Sequence, residues 1–387
     1  MKLCFLSFEY PPEIIGGMGT YAQHLIQGLK DREVEVSVIT KSDKNSYSDN
    51  IYRIYVPDVL YWRRLFFITD AVKTFHHLNK RYKFDLIHLN GTYPIFKGLK
   101  IPMLSTLHSI PNIKQAFFGL RFIKNIKSPK DISYLTLKNP IGSIFDFTTI
   151  KFSDKIICPS PALARDIMLY CFAEKNKIQV INNGIDLKTF DLTDCHDTSI
   201  LKSYGLQKEN FILYVGRLTV LKGVQYLIEA FKIVKKQHPN LKLVIVGSGD
   251  FEHQLKNIAH GVDGIHFLGY IESLKIKKLL YTSSVAVILP SSAYEVLPMT
   301  ILEAMASYTT VIASDIEGNS YLIKHGQNGF LSEPNNPLNL AELINMLIED
   351  RNLRLKIGLC GRKLVEEKFT MKMMINKTIK TYESLMT

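Results

Sequence analysis

The chain has 387 residues, 46% of them hydrophobic, and carries 48 Lys and Arg against 36 Asp and Glu, a net charge of +12. That much apolar material suffices for two globular cores, while five scattered cysteines without a C-x-x-C pair speak against a disulfide framework and for a reducing, cytosolic compartment. No run approaches the roughly 18 to 20 apolar residues of a membrane-spanning helix, and Glu9, Pro11 and Pro12 cut short the only apolar run near the start, which excludes a good secretory signal.

The first half opens with "KLCFLSF", a short apolar run that reads as a buried strand. "EYPPEIIGGMG" is a loop by its prolines and glycines, and "TYAQHLIQGLK" is a helix with Thr20 as its N-cap. "EVEVSVIT" is a β-branched strand, residues 57–82 form one or two helices, and "FDLIHLN" and "IPMLSTLHS" are two further short strands. Residues 110–150 give no clean periodicity. "DKIICPS" returns to a strand, followed by a helix near 161–172 and the strand "KIQVI".

The second half restarts the alternation. "NFILYVGRL", "LKLVIVGSGD", "GIHFLGY", "VAVILP", "TVIASD" and "GFLSE" read as strands, separated by helices such as "GVQYLIEAFKIVKKQ" and "ESLKIKKLLYTS", and helices run to the end. Strands alternating with helices imply parallel sheets covered on both faces. The expected fold is α/β, with two tandem doubly wound Rossmann-like domains. The join falls near the turn-rich stretch 182–195, giving domains 1–185 and 186–370, with a last helix at about 371–387 packing back on the first.

Ligands of open parallel sheets sit at the carboxyl ends of the strands, so the chemistry is sought in the strand-to-helix loops. Gly16, Gly17 and Gly19 lead into a helix; they form either a tight turn or a loop whose N–H groups approach an anion. In "VGRLTVLKG", Arg217 and Lys222 flank a strand end. They are solvated loop cations or a pair that neutralises a diphosphate, the arginine as a planar fork and the lysine as a point charge. In "YEVLPMTILEAMA", Pro298 suits the first turn of a helix. The early N–H groups at Met299, Thr300 and Ile301 are then free to face an anion. Glu303 in the second turn and Glu295 in the preceding loop reach hydroxyls on either side of that cradle. Carboxylates accepting from sugar hydroxyls around a phosphate cradle describe a nucleotide-sugar site.

"EVLPMTILEAMA" resembles the E-x7-E motif of the family-4 (GT4) glycosyltransferases, retaining enzymes of the GT-B fold that need no metal. "FEYPPEIIGGMGTYAQHLIQGL" resembles that family's glycine loop, "TLHS" its histidine loop, "VINNGIDLKTF" its inter-domain segment, and "VGRLTVLKGVQYLIEAF", "LVIVGSGD", "HGQNGFL" and "YESLM" its later landmarks. The likeness runs end to end and is least distinct over residues 55–150. It implies the GT-B architecture, two domains facing across a cleft.

The resemblance further implies a role for each matching residue. Arg217 and Lys222 would hold the donor diphosphate with Gly16, Gly17 and the Leu297–Pro298–Met299–Thr300 cradle. Glu303 would bond the ribose and Glu295 the transferred sugar, and His108 would lie beside the anomeric region. His108 and Glu295 are thus the candidate catalytic residues, and Asn183 and Gly184 would line the cleft near the hinge. The chain departs from the family where Val296, Leu297 and Pro298 replace a Gly-Phe-Gly type stretch, and where Tyr321 stands in place of a frequent glutamate.

By the same resemblance, the partners are a nucleotide-sugar donor, UDP favoured over GDP, and a glycan or lipid-linked acceptor, in bacterial polysaccharide, lipopolysaccharide or capsule biosynthesis. No cofactor or metal is implied, and no Asp-x-Asp motif stands out. The alternatives are a GT-B nucleotide-sugar epimerase and a non-catalytic glycan- or membrane-binding relative.

The charge surplus lies in residues 1–190, with 26 Lys and Arg against 16 Asp and Glu; residues 191–387 hold 22 against 20. It serves solubility or attracts an anionic membrane, an acidic substrate or nucleic acid, though no nucleic-acid module is recognisable. "YWRRLFF" and "KQAFFGLRFIKNIK" interleave cations with aromatics, as interfacial segments or as helices with aromatic core faces. The expected location is cytoplasmic, with peripheral contact at the inner face of the membrane.

Overall fold

The computed structural model describes residues 1–13, 16–57, 63–93, 100–109, 112, 114, 139–191 and 199–386. The chain divides into two compact units, residues 1–184 with 371–387, and residues 185–370.

In the first unit the strands are β1 (Lys2–Ser7), β2 (Glu35–Ser42), β3 (Ser46–Ser48), β4 (Ile51–Tyr55), β5 (Leu86–Asn90), β6 (Met103–Thr106), β7 (Lys155–Cys158) and β8 (Ile178–Val180). They form one sheet in the order β3-β4-β2-β1-β5-β6-β7-β8. All neighbours are parallel except β3 with β4. Helices among its described residues include α1 (Gly17–Lys30), α2 (Arg63–Tyr82), α3 (Asn139–Phe152) and α4 (Pro161–Cys171). Separate apolar clusters, one around Leu6, Phe67, Phe75 and Leu89, the other around Phe5, Leu25, Leu86 and Ile157, pack on the sheet. Strands covered on both faces become uninterrupted apolar runs, as "CFL" in β1 is.

The sequence pattern missed the β3–β4 hairpin. Asp49 and Asn50 both adopt positive φ, 50° and 62°, which supplies the two-residue turn that antiparallel strands need. "SYS" is too short and too exposed to show an alternating apolar face. Helix α1 begins four residues before the position expected with Thr20 as N-cap. Gly16 is the N-cap and the N–H groups of Gly19 and Thr20 both donate to its carbonyl, so a backbone acceptor replaces the expected side-chain cap. Of the span 57–82, where one or two helices were expected, the described residues hold one long helix, α2. Of the two cation-and-aromatic stretches, residues 61–62 and 115–127 lie outside the described residues.

The second unit has β9 (Phe211–Val215), β10 (Lys242–Val246), β11 (Ile265–Gly269), β12 (Val287–Leu289), β13 (Val311–Ser314) and β14 (Phe330–Ser332). They form a six-stranded sheet in the order β11-β10-β9-β12-β13-β14, parallel throughout. Its helices are α5 (Ser199–Ser203), α6 (Val224–Gln237), α7 (Glu252–Ala259), α8 (Leu274–Ser283), α9 (Met299–Ala306), α10 (Glu317–Leu322), α11 (Pro337–Glu349) and α12 (Arg351–Lys368). One large core joins sheet and helices.

The last helix, α13 (Met371–Met386), belongs to the first unit and packs on α1. The close approach depends on Gly28, where a Cβ would stand 1.9 Å from Ile375 Cδ1. No helix among the described residues is long and apolar enough to cross a membrane. Cys4, Cys158, Cys171 and Cys360 are free thiols.

Strand order places the functional loops. In each unit the chain lays strands outward on one side of its first strand, then returns to the other side. The reversals fall between β1 and β5, and between β9 and β12. At such switch points neighbouring loops diverge and leave a crevice at the carboxyl ends of the strands.

Candidate functional site

At the β9/β12 switch point the loops after the two strands carry the predicted donor residues, and the Ser292 N–H of one donates to the Leu221 carbonyl of the other at 2.9 Å. Arg217 follows β9, exposed, and its side chain has no hydrogen-bonded or ion-paired partner among the described residues. Its backbone is held by the buried Tyr214, whose hydroxyl donates to the Arg217 carbonyl at 2.8 Å. Burial, with the Glu295 carboxylate nearby, pushes the Tyr214 hydroxyl well above its ordinary pKa, so it stays a donor. Lys222 ends a single 3-10 turn that leads into α6.

Lys222 and Glu295, expected on different parts of a ligand, are bound to each other. Lys222 Nζ lies 2.5 Å from Glu295 Oε1, and Ser291 Oγ donates to the same oxygen at 2.6 Å. Glu295 Oε2 makes no hydrogen bond among the described residues. Glu303 repeats the pattern: the buried Tyr281 hydroxyl donates to Oε2 at 2.7 Å, leaving Oε1 open. Burial and the Glu303 charge hold the Tyr281 hydroxyl far above its usual pKa, fixing it as the donor. Each glutamate therefore has one oxygen anchored by protein and one able to accept from a ligand hydroxyl.

Between the two glutamates stands the start of α9. Pro298 is its N-cap, with φ −70° and ψ 122°, one residue outside the first turn expected of it. Its carbonyl accepts from the Ile301 N–H at 3.2 Å, so Ile301 is not one of the free donors. The N–H groups of Met299 and Thr300 remain without a hydrogen-bonded partner among the described residues. Thr300 Oγ1 donates to the Val215 carbonyl at 3.2 Å and ties this end of α9 to the end of β9. Leu297 is buried in the core beneath.

The Glu295 loop rests on Gly318 in α10, where a Cβ would lie 2.0 Å from the Glu295 carbonyl oxygen. Gly318→Ala is expected to destabilise the protein by about 1–3 kcal/mol through overpacking. That lowers the melting temperature by roughly 2–12 °C for a unit of this size, measured by calorimetry. An unchanged melting temperature would show that the loop yields freely. Tyr321, on the same helix, is exposed, its ring edge-on to Phe369 with centroids 6.4 Å apart.

The first unit brings a second group of residues to its β1/β5 switch point. Gly16 and Gly17 open α1, and the Gly16 N–H donates to the Glu9 carboxylate at 3.0 Å. His108 lies just past β6, its Nε2 2.7 Å from Asn90 Oδ1 and its ring edge-on to Tyr21, centroids 4.6 Å apart. Burial pushes the His108 pKa down to about 3, so the ring is neutral. Asn183 and Gly184 are buried near the boundary of the unit, and the Gly184 N–H faces Met374 Sδ at 3.2 Å. Asn90, Ser291, Tyr214 and Tyr281 were not singled out from the sequence. Only Ser291, on the strand-end loop four residues before Glu295, carried a positional signal there.

Residues 197–364 match the family described as Glycosyl transferases group 1, and residues 15–189 match Glycosyltransferase Family 4. An uncharacterized glycosyltransferase of Methanocaldococcus jannaschii is 30% identical over 100% of this chain and 99% of its own length. The UDP-Gal:alpha-D-GlcNAc-diphosphoundecaprenol alpha-1,3-galactosyltransferase of Escherichia coli is 25% identical over 91% of this chain and 90% of its own. Among solved structures, Anabaena HepE in complex with UDP and glucose superposes with a TM-score of 0.76, at 20% identity, covering 99% of this chain and 100% of that one. That last likeness shows the fold: two Rossmann-like α/β units of the GT-B type.

Proposed function

The chain belongs to the group 1, family-4 glycosyltransferases, and on that premise we propose that it is a retaining enzyme which moves a sugar from a UDP-sugar to a hydroxyl of a glycan or lipid-linked acceptor. The observation that carries the donor reading is the arrangement around α9. Two half-committed carboxylates, Glu295 and Glu303, flank two open N–H groups, with Arg217 and Lys222 alongside. A diphosphate between hydroxyl-bearing rings is complementary to that order of charges.

In this reading Arg217, Lys222 and the N–H groups of Met299 and Thr300 bind the diphosphate. Glu303 Oε1 accepts from the ribose and Glu295 Oε2 accepts from the sugar. The bond between the anomeric carbon and the phosphate oxygen breaks, and the acceptor oxygen bonds to that carbon on the same face. The acceptor's proton passes to the departing phosphate oxygen. Preorganised cations and N–H groups stabilise the charge that develops there, so the step is assigned without a metal.

The preference for UDP is supported by the UDP bound in the HepE structure and by the name of the Escherichia coli relative. That relative's name also supports an acceptor on a lipid diphosphate, in the biosynthesis of a polysaccharide, lipopolysaccharide or capsule. The basic first half of the chain suits work at the anionic inner face of a membrane.

The test is a metal-free thermal-shift panel of UDP, GDP, ADP and their sugar conjugates on wild type and Arg217→Ala. A ligand at about 100 times its Kd adds roughly 2.7 kcal/mol. The expected result is a rise with UDP and UDP-sugars that Arg217→Ala abolishes. A rise with GDP alone would overturn the base assignment, and no rise with any nucleotide would overturn the donor site.

A further inference from the structure

The neutral ring of His108 can exist as either of two tautomers, and which nitrogen carries the proton decides whether it donates to or accepts from a ligand. The surrounding atoms leave one choice. Asn90 is wholly buried at the end of β5, beside Ser7 in the register with β1. Asn90 Nδ2 faces Ser7 Oγ at 2.9 Å and the Met18 carbonyl at 3.3 Å. A carbonyl only accepts, and the Ser7 hydroxyl has its own proton committed to the Glu9 carbonyl at 2.6 Å. Both neighbours therefore demand an N–H₂ group, which fixes the orientation of the Asn90 amide. Its oxygen then points at His108 Nε2, 2.7 Å away, and an amide oxygen only accepts. Nε2 must carry the proton, and Nδ1 is left with a lone pair. Nδ1 has no hydrogen-bonded partner among the described residues.

We infer that Asn90 is a positioning residue that locks His108 as the Nε2–H tautomer, so that Nδ1 is the ring nitrogen left to accept from a ligand hydroxyl at this switch point. The tautomer does not rest on the donor reading. The titratable groups around the ring agree with a neutral imidazole. Tyr21 lies edge-on to it, and the buried His88 is bonded through its own nitrogens to Tyr382 and Thr106 at 2.6 and 2.7 Å. The Glu9 carboxylate is turned to the Gly16 N–H. No carboxylate among the described residues bonds to His108.

The experiment is long-range ¹H–¹⁵N correlation NMR of the full chain labelled at histidine nitrogens, with the His108 signals assigned from His108→Gln. The expected wild-type spectrum at pH 7 shows Nε2 protonated and Nδ1 bare. In Asn90→Asp, a near-isosteric change, the carboxylate favours the imidazolium, and the His108 midpoint should rise by about one to three pH units. Asn90→Ala should give a mixture of tautomers. A wild-type spectrum with the proton on Nδ1 overturns the inference without any variant. So does a His108 midpoint that Asn90→Asp leaves unmoved, or Asn90→Ala leaving the tautomer intact.

Discussion

Lys222→Ala is expected to lower the turnover of sugar transfer by about 10²- to 10³-fold, the loss that follows when one preorganised charge-stabilising donor is removed. Two effects combine. The ammonium is one of the two cations proposed to face the leaving diphosphate, and it also holds Glu295 through a 2.5 Å ion pair. Without it, Glu295 keeps only the Ser291 hydroxyl on Oε1. Its free oxygen is then no longer held where a sugar hydroxyl would meet it.

A double-mutant cycle with Glu295→Ala separates these effects. If Lys222 acts only by placing Glu295, the double variant is no slower than Glu295→Ala. If it also neutralises the diphosphate, the double variant is slower still. The Lys222 side chain is part-exposed, so the fold should survive its loss, and circular dichroism checks that. Turnover within about threefold of wild type would remove Lys222 from the diphosphate site.

Ending the chain at Thr370 is expected to prevent residues 1–184 from folding. Helix α13 contributes Met374, Ile375 and Tyr382 to the core of that unit, all at 2% exposure or less. At roughly 1.5–3 kcal/mol for each fully buried side chain, these alone supply on the order of 5–9 kcal/mol. A whole domain is stable by only about 5–15 kcal/mol. Removal would also strip the Tyr382 hydroxyl from His88, leaving a polar nitrogen open in the sheet. Limited proteolysis reads the outcome: fragments from residues 1–184 should disappear first in the truncated chain and persist in the full one. Equal resistance in both would show that α13 is dispensable to the unit.

Several parts of this architecture were legible in the sequence because they rest on local rules. The run "CFL" is apolar because β1 is covered on both faces, and "NFILYV" for the same reason marks β9. Ser160 before Pro161 starts α4, and the structure shows its hydroxyl accepting from the Leu163 N–H at 3.3 Å. The span Met299–Ala306 carried its own helical signal, although a proline fits a first turn and an N-cap equally well, and only the backbone angles distinguish them. Thr20 misled for a related reason. It is an acceptable cap, but the Gly16 carbonyl, four residues earlier, opened the helix first. The β3–β4 hairpin was illegible in its strands and legible only in the Asp49–Asn50 turn.

The sequence by itself determined the alternation of strands and helices, the ordered motifs that identify the family, and the residue types at the loops after β9 and β12. All of these are properties of contiguous stretches. The tertiary structure decided that Lys222 is bonded to Glu295, 73 positions away, and that Tyr281 anchors one oxygen of Glu303. It also decided that Asn90 sets the proton of His108. These contacts depend on which strands become neighbours, and strand order is chosen by the packing of whole sheets and helices. The hydropathy pattern of β5 is the same whether it lies beside β1 or elsewhere. Only its place beside β1 and β6 brings Ser7, Asn90 and His108 into one hydrogen-bonded line.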